Sequence, residues 1–210
     1  MKLYFFPIAP NPTKVRLALA EKREAGGDFE CEQILVNLIE GQQKSPEHLA
    51  RNPLGKLPVL ELDDGSFLTE SLAIIELIEE LQPEPTLLGH TPEERAHQRE
   101  LERLADLGTL LPIARWVHST NSPLGLPPNE EIARFHLNLL PTALGVLEAA
   151  LEDGRPFLAG DRPTVADCTL AAAFQFGRFR DFPFPEGYPR IDAWDARFRE
   201  RPAAKAVLVA

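Results

Sequence analysis

An α/β domain followed by an all-helical domain is the fold class this sequence predicts, on three observations. In roughly the first eighty residues, short apolar runs of strand type alternate with runs of helical spacing. QPEPTLLGHTP, from Gln82 to Pro92, is rich in proline and has no periodicity. Beyond it strand signals vanish and helical patterns remain. The chain therefore divides into a first domain over 1–81, a linker over 82–92 and a helical domain over 93–210.

In order along the chain, Lys2 to Phe6 reads as a buried strand and Thr13 to Glu24 as the helix after it. Between them Asn11-Pro12 is a favoured cap pair: the asparagine oxygen accepts an N–H from Thr13 or Lys14, and Pro12 takes the first helical position. Phe29 to Leu35 is a strand on which Cys31 alternates with Phe29, and a short helix follows Ser45. Strands Val59 to Leu62 and Phe67 to Leu68 flank Asp63-Asp64-Gly65, a hairpin signal. Leu72, Ile75, Leu77, Ile78 and Leu81 then mark a helix from Glu70 to Leu81. The result is a ββ-hairpin added to a βαβ unit, with helices covering the sheet. In the second domain helices are expected over Glu93 to His118, Glu130 to Glu152, Thr164 to Gly177 and Ile191 to Arg199. Thr164 and Asp167 have capping-box spacing, a stabilising role.

Composition narrows the function. The chain has 210 residues and a formal charge of -10, and no Lys/Arg run interrupts the acidic background. Such a surface repels phosphate backbones and anionic lipid, so neither nucleic acid nor membrane is expected as a partner. MKLYFF lacks the apolar core of a signal peptide, and no stretch reaches the roughly 18 uninterrupted apolar residues of a membrane span. The expected location is the cytoplasm. Two distant cysteines, Cys31 and Cys168, form no CxxC and read as packing residues, and five scattered histidines show no metal-ligand spacing. No metal is expected, and any thiol chemistry must use a borrowed thiol.

The richest segment is NPLGKLPVLELDDGSFLTESLAII, Asn52 to Ile75. Pro58 opens a strand, where its missing N–H is tolerated. A cis Leu57-Pro58 bond would leave the Leu57 N–H and C=O free to pair with an extended peptide ligand; a trans bond would make Pro58 the end of a loop and nothing more. At Thr69-Glu70-Ser71 a carboxylate, a hydroxyl and first-turn N–H groups meet, which suits an ammonium and a carboxylate on one carbon. The plainer reading is a helix start capped by Thr69 or Ser71. The loop from Pro7 to Thr13, between the first strand and helix, contains no cysteine, serine, histidine or acid.

NPLGKLPVL and TESLAI, with IEGQQKSP upstream and FLAGDRPTVADC downstream, resemble the cytosolic glutathione transferases, above all theta-like and bacterial nu-like members. The resemblance spans nearly the whole chain. It implies a thioredoxin-like first domain, glutathione as co-substrate and a two-fold homodimer. It also implies that Leu57, before a cis Pro58, pairs with the cysteinyl unit, that Glu70 and Ser71 hold the γ-glutamyl ammonium and carboxylate, and that Lys56 and Gln43 lie near the glycyl carboxylate. Ala9 stands where serine-type members place the hydroxyl that serves the sulfur. Asn11 lies two positions on, as in nu-like members, with Thr13 as a second donor. The implied activity is attack of glutathione thiolate on a small-molecule electrophile, a disulfide or a peroxide; the alternative is a non-catalytic binding or interaction protein. On the acceptor side, Arg115, Trp116 and His118 are candidates for the cleft, with Trp116 in the core and His118 at a solvated helix end as the competing reading.

Overall fold

The structure, a computed structural model, describes residues 1–209. The first domain runs β1 (Lys2–Phe5), α1 (Pro10–Glu24), β2 (Glu32–Leu35), a 3-10 turn (Gln42–Lys44), α2 (Pro46–Arg51), β3 (Val59–Glu61), β4 (Phe67–Thr69) and α3 (Ser71–Leu81). Its sheet has the order β2-β1-β3-β4, with β1 parallel to β2 and β3 antiparallel to both its neighbours. The helical domain comprises α4 (Pro92–Ala105), a π-helical turn (Asp106–Leu110), α5 (Leu111–Thr120), α6 (Glu130–Ala150), α7 (Val165–Phe179), α8 (Pro189–Arg199) and α9 (Pro202–Val207). The expected fold class, thioredoxin-like and then all-helical, is the observed one.

Several boundaries differ from the sequence reading, and one helix was not expected. Helix α1 begins at Pro10, because two prolines fit a first turn whose N–H groups have no intrahelical partner. Strand β2 begins only at Glu32, so Cys31 lies before it. The long helix expected over Glu93 to His118 is interrupted by the π turn, just before Pro112, which lacks the N–H a regular ladder needs. Helix α9 carries only a short apolar pattern and went unforeseen.

Buried charges fasten the two domains. Lys14 on α1 reaches Glu102 and Asp106 of the helical domain, both at 3.2 Å. Lys22 bonds Glu79 at 2.6 Å and the Pro85 carbonyl at 2.8 Å. Glu79 also accepts from Thr86 and the Leu87 N–H. With Leu87 and Leu88 buried, the connection over 82–91 is packed rather than slack. Asp167 accepts from the Leu158 and Thr164 N–H groups, the Thr164 hydroxyl and Trp194 Nε1, at 2.7 to 3.0 Å. That is the stabilising role its spacing indicates. Cys168 is fully buried, and burial pushes its thiol well above the ordinary range.

Candidate active site

Three chain segments meet at one end of the sheet: the turn before β3, the start of α3 and the start of α1. Before β3, the Leu57-Pro58 peptide bond is cis. The ladder to β1 begins only at Val59, opposite Tyr4, so Leu57 lies beyond it. Among the described residues its N–H and C=O have no backbone partner. The preceding carbonyl, of Lys56, is clamped by His48 Nε2 at 3.1 Å and Asn52 Nδ2 at 3.0 Å. A carbonyl only accepts, so His48 carries its proton on Nε2. Gly55, at φ 60°, lets the Gln43 carbonyl approach so closely that a Cβ would stand 3.1 Å from it. Gln43 is buried, and among the described residues its Oε1 has no hydrogen-bond partner. The Lys56 side chain is exposed, on the same turn.

At the start of α3 neither Thr69 nor Ser71 is the cap. Glu70 is, at φ 67° and ψ 116° and with no capping bond from its side chain. A non-glycine residue in that conformation is strained by about 1–3 kcal/mol, and such strain concentrates at ligand clamps. The Glu70 carbonyl accepts the first helical bond, from Ile74, and the N–H groups of Ser71, Leu72 and Ala73 remain unclaimed. An exposed carboxylate thus stands beside a helix end that favours an anion.

At the start of α1 the cap is Ala9, whose carbonyl accepts from Thr13 N–H at 3.1 Å. Asn11 is therefore not the cap that its Asn-Pro context suggests; it sits inside the first turn, between Pro10 and Pro12. Prolines on both sides remove two N–H groups. Asn11 supplies the one unclaimed backbone donor of this helix end. Its side-chain Oδ1 accepts from Ser71 Oγ at 3.3 Å. With the oxygen so engaged, the Nδ2 hydrogens are free and the two helix starts are joined. Thr13 is placed otherwise than as a second sulfur donor. It is fully buried, with Oγ1 within 2.9 Å of both the Pro7 and Ala9 carbonyls and accepting from Gln175 of α7 at 3.3 Å. Its work is to hold the loop.

Beside that loop an apolar cleft opens between the domains, lined among others by Phe6, Ile8, Ala9, Leu38, His118 and Phe176. His118 is the titratable side chain in this lining. Burial, then the nearby Arg115, lowers its pKa, so it is neutral near pH 7; its Nδ1 lies 2.9 Å from Ser122 Oγ. Trp116 packs edge-on against Phe182, with centroids 5.0 Å apart, and Arg115 belongs to a separate surface with Phe135 and His136. Of the three candidates from α5, only His118 lines the cleft. The His48–Asn52 clamp and Gln175 were not found by sequence reasoning. Asn52 carried a signal in its NPLGK context, whereas His48 and Gln175 act through the fold alone.

The helical family model "Glutathione S-transferase, C-terminal domain" matches residues 127–202, and "Glutathione S-transferase, N-terminal domain" matches residues 3–86. Glutathione S-transferase 2 of Saccharomyces cerevisiae is 34% identical over 212 residues, covering 99% of this chain and 89% of that one. The crystal structure of Gtt2 from the same organism superposes with a TM-score of 0.88 at 34% identity, covering 99% of this chain and all of that one. A glutathione S-transferase of Methylobacillus flagellatus, solved with glutathione bound, superposes with a TM-score of 0.83 at 26% identity over 100% of this chain and 99% of that one.

Proposed function

Because the chain belongs to the glutathione S-transferase family and is a glutathione transferase, we propose that it holds glutathione at the three-segment site and delivers its thiolate to an acceptor in the apolar cleft. Leu57 pairs its free N–H and C=O with the cysteinyl unit, in the manner of an added strand. Glu70 takes the γ-glutamyl ammonium, and Ser71 with the open N–H groups of α3 takes the carboxylate beside it. Lys56 and Gln43 serve the glycyl carboxylate.

The observation that carries the reading of the chemistry is the doubly proline-flanked Asn11. With no hydroxyl at Ala9 and Thr13 turned inward, the sulfur is left with the Asn11 amide and N–H, and His118 is the cleft's proton acceptor. Two donors lower a thiol pKa moderately. Thiol exchange is fastest when the attacking thiol has a pKa near ambient pH, so this arrangement suits attack on a disulfide or peroxide better than on an aryl halide. Assays with glutathione and hydroxyethyl disulfide, a cumene-type hydroperoxide and an aryl halide test it. Turnover should be higher with the first two; turnover confined to the aryl halide overturns the preference, and absence of all three points to a binding protein.

The assembly proposed is a two-fold homodimer. Ile132, Phe135, Leu139 and Val146 are exposed along α6, and Leu54 and Phe67 on the first domain, which fits a pairing of one subunit's first domain with the other's helical domain. Light scattering should give twice 23.4 kDa. A single-chain mass at micromolar concentration refutes the pairing.

A further inference from the structure

A second cavity adjoins the apolar cleft. Ile8 and Phe179 line both, and the second adds the charged side chains Arg178, Arg199, Lys205 and Glu200 to an apolar wall that includes Ala204 and Leu208. Its charges do not balance. Arg178 Nη2 and Arg199 Nε both donate to the same oxygen, Asp195 Oδ2, the latter at 3.1 Å, while Lys205 pairs with Glu200 at 2.6 Å. Among the described residues three cations thus face two carboxylates, on a chain whose formal charge is -10. Each guanidinium spends one of its five N–H donors on Asp195, and both are part-exposed. Arg180 adds to the field: it lies over the Phe179 ring at 4.5 Å, with its Nε buried and without a hydrogen-bond partner.

We propose that this second cavity recognises the anionic end of an elongated acceptor, whose apolar body lies in the cleft and whose carboxylate reaches Arg178 and Arg199 past Ile8 and Phe179. The proposal rests on the glutathione reading above and adds the substrate class: an apolar acceptor with a terminal carboxylate. Planar guanidinium forks suit a carboxylate, and the apolar lining of the cleft disfavours an acceptor charged near the reacting atom. Asp195 keeps one arginine even if the other is lost, so the site is divisible by substitution.

The test uses glutathione thioethers as probes that span both cavities. S-alkyl and S-(ω-carboxyalkyl) glutathiones of matched and increasing length are titrated calorimetrically into the whole protein. At the length that reaches the arginines, the carboxylate should bind about tenfold tighter than its alkyl partner, a modest factor because the arginines are part-exposed. The preference should shrink with added salt and be largely lost in Arg199→Gln, which brings the charge count to two against two, while S-hexylglutathione affinity stays unchanged. Equal binding at every length, or a preference that survives Arg178→Gln/Arg199→Gln, overturns the proposal and leaves the glutathione site standing. Failure of both series to bind defeats the glutathione reading itself, and is a different result.

Discussion

Replacing Asn11 should change the acidity of bound glutathione more than its affinity. In Asn11→Ala the side-chain donor is lost and the backbone N–H, fixed between Pro10 and Pro12, remains. A hydrogen bond to a charged group is worth about 1.5–3 kcal/mol, and one pKa unit corresponds to about 1.36 kcal/mol. The bound thiol should therefore rise by about one to two units, with the remainder of its depression supplied by the backbone donor and the helix end. Asn11→Asp should raise it further, because the same space then holds a negative charge. Ser71→Ala tests the link between the helix starts: the Asn11 oxygen loses its donor, the amide is free to flip, and a smaller rise is expected. Ultraviolet titration of the thiolate in each binary complex gives the pKa directly, and calorimetry gives the affinity. If Asn11→Ala leaves the thiol pKa and the turnover where they were, the residue only packs against α3 and the assigned chemistry is wrong.

Three further outcomes follow from named contacts. Glu70→Ala removes the counter-charge proposed for the ligand ammonium at an unchanged backbone strain, and glutathione affinity should fall by about 1.5–3 kcal/mol in calorimetry; Glu70→Gly, which relieves the positive φ, should lose affinity similarly yet melt higher. Gly108→Ala would place a Cβ 2.5 Å from that of Ala143 on α6 and should cost about 1–3 kcal/mol in chemical denaturation, restored in part by Ala143→Gly; an unchanged midpoint would show that the π turn yields freely. His118 should titrate below free imidazole in an NMR pH series, moving up in Arg115→Gln. The sign follows from linkage: the unfolded chain takes the proton first, so its contribution is complete above the ordinary imidazole pKa of about 6.5 and is lost as pH falls through the lower folded value. An inflection at or above that ordinary value would remove burial as the governing cause.

Much of this architecture was legible in local patterns. The hairpin around Asp63-Asp64-Gly65, the apolar spacing of α3 and the loss of strand signals after Pro92 each depend on neighbours a few residues apart, and each was found where expected. What stayed hidden depends on distance in sequence. Thr13 is buried where Gln175, 162 residues away, donates to its hydroxyl. The clamp on the Lys56 carbonyl needs α2 folded back so that His48 faces it. The proline pair was misread for another reason: Asn-Pro is a sound cap signal, yet Pro10, two residues earlier, fits the first helical position as well, and the helix took the longer option.

That two-residue extension of α1 is what gives a loop without reactive side chains the donor set proposed for the thiolate. Had the helix begun at Pro12, Asn11 would have capped it, its oxygen spent on the backbone and its position set by α1 alone. Starting at Pro10, the helix releases that oxygen to Ser71, so the residue proposed to serve the sulfur shares a bond with the residue proposed to hold the γ-glutamyl carboxylate. Ser71 has one hydroxyl hydrogen, donated to Asn11 in the free protein and required by an arriving carboxylate. In the proposed site, binding of the γ-glutamyl end therefore competes for the bond that orients Asn11. The double-mutant cycle of Asn11→Ala with Ser71→Ala measures this: a coupling beyond about 0.5 kcal/mol in glutathione affinity is expected for residues in one network. Strict additivity would mean that the two helix starts act separately and that the 3.3 Å contact carries no function.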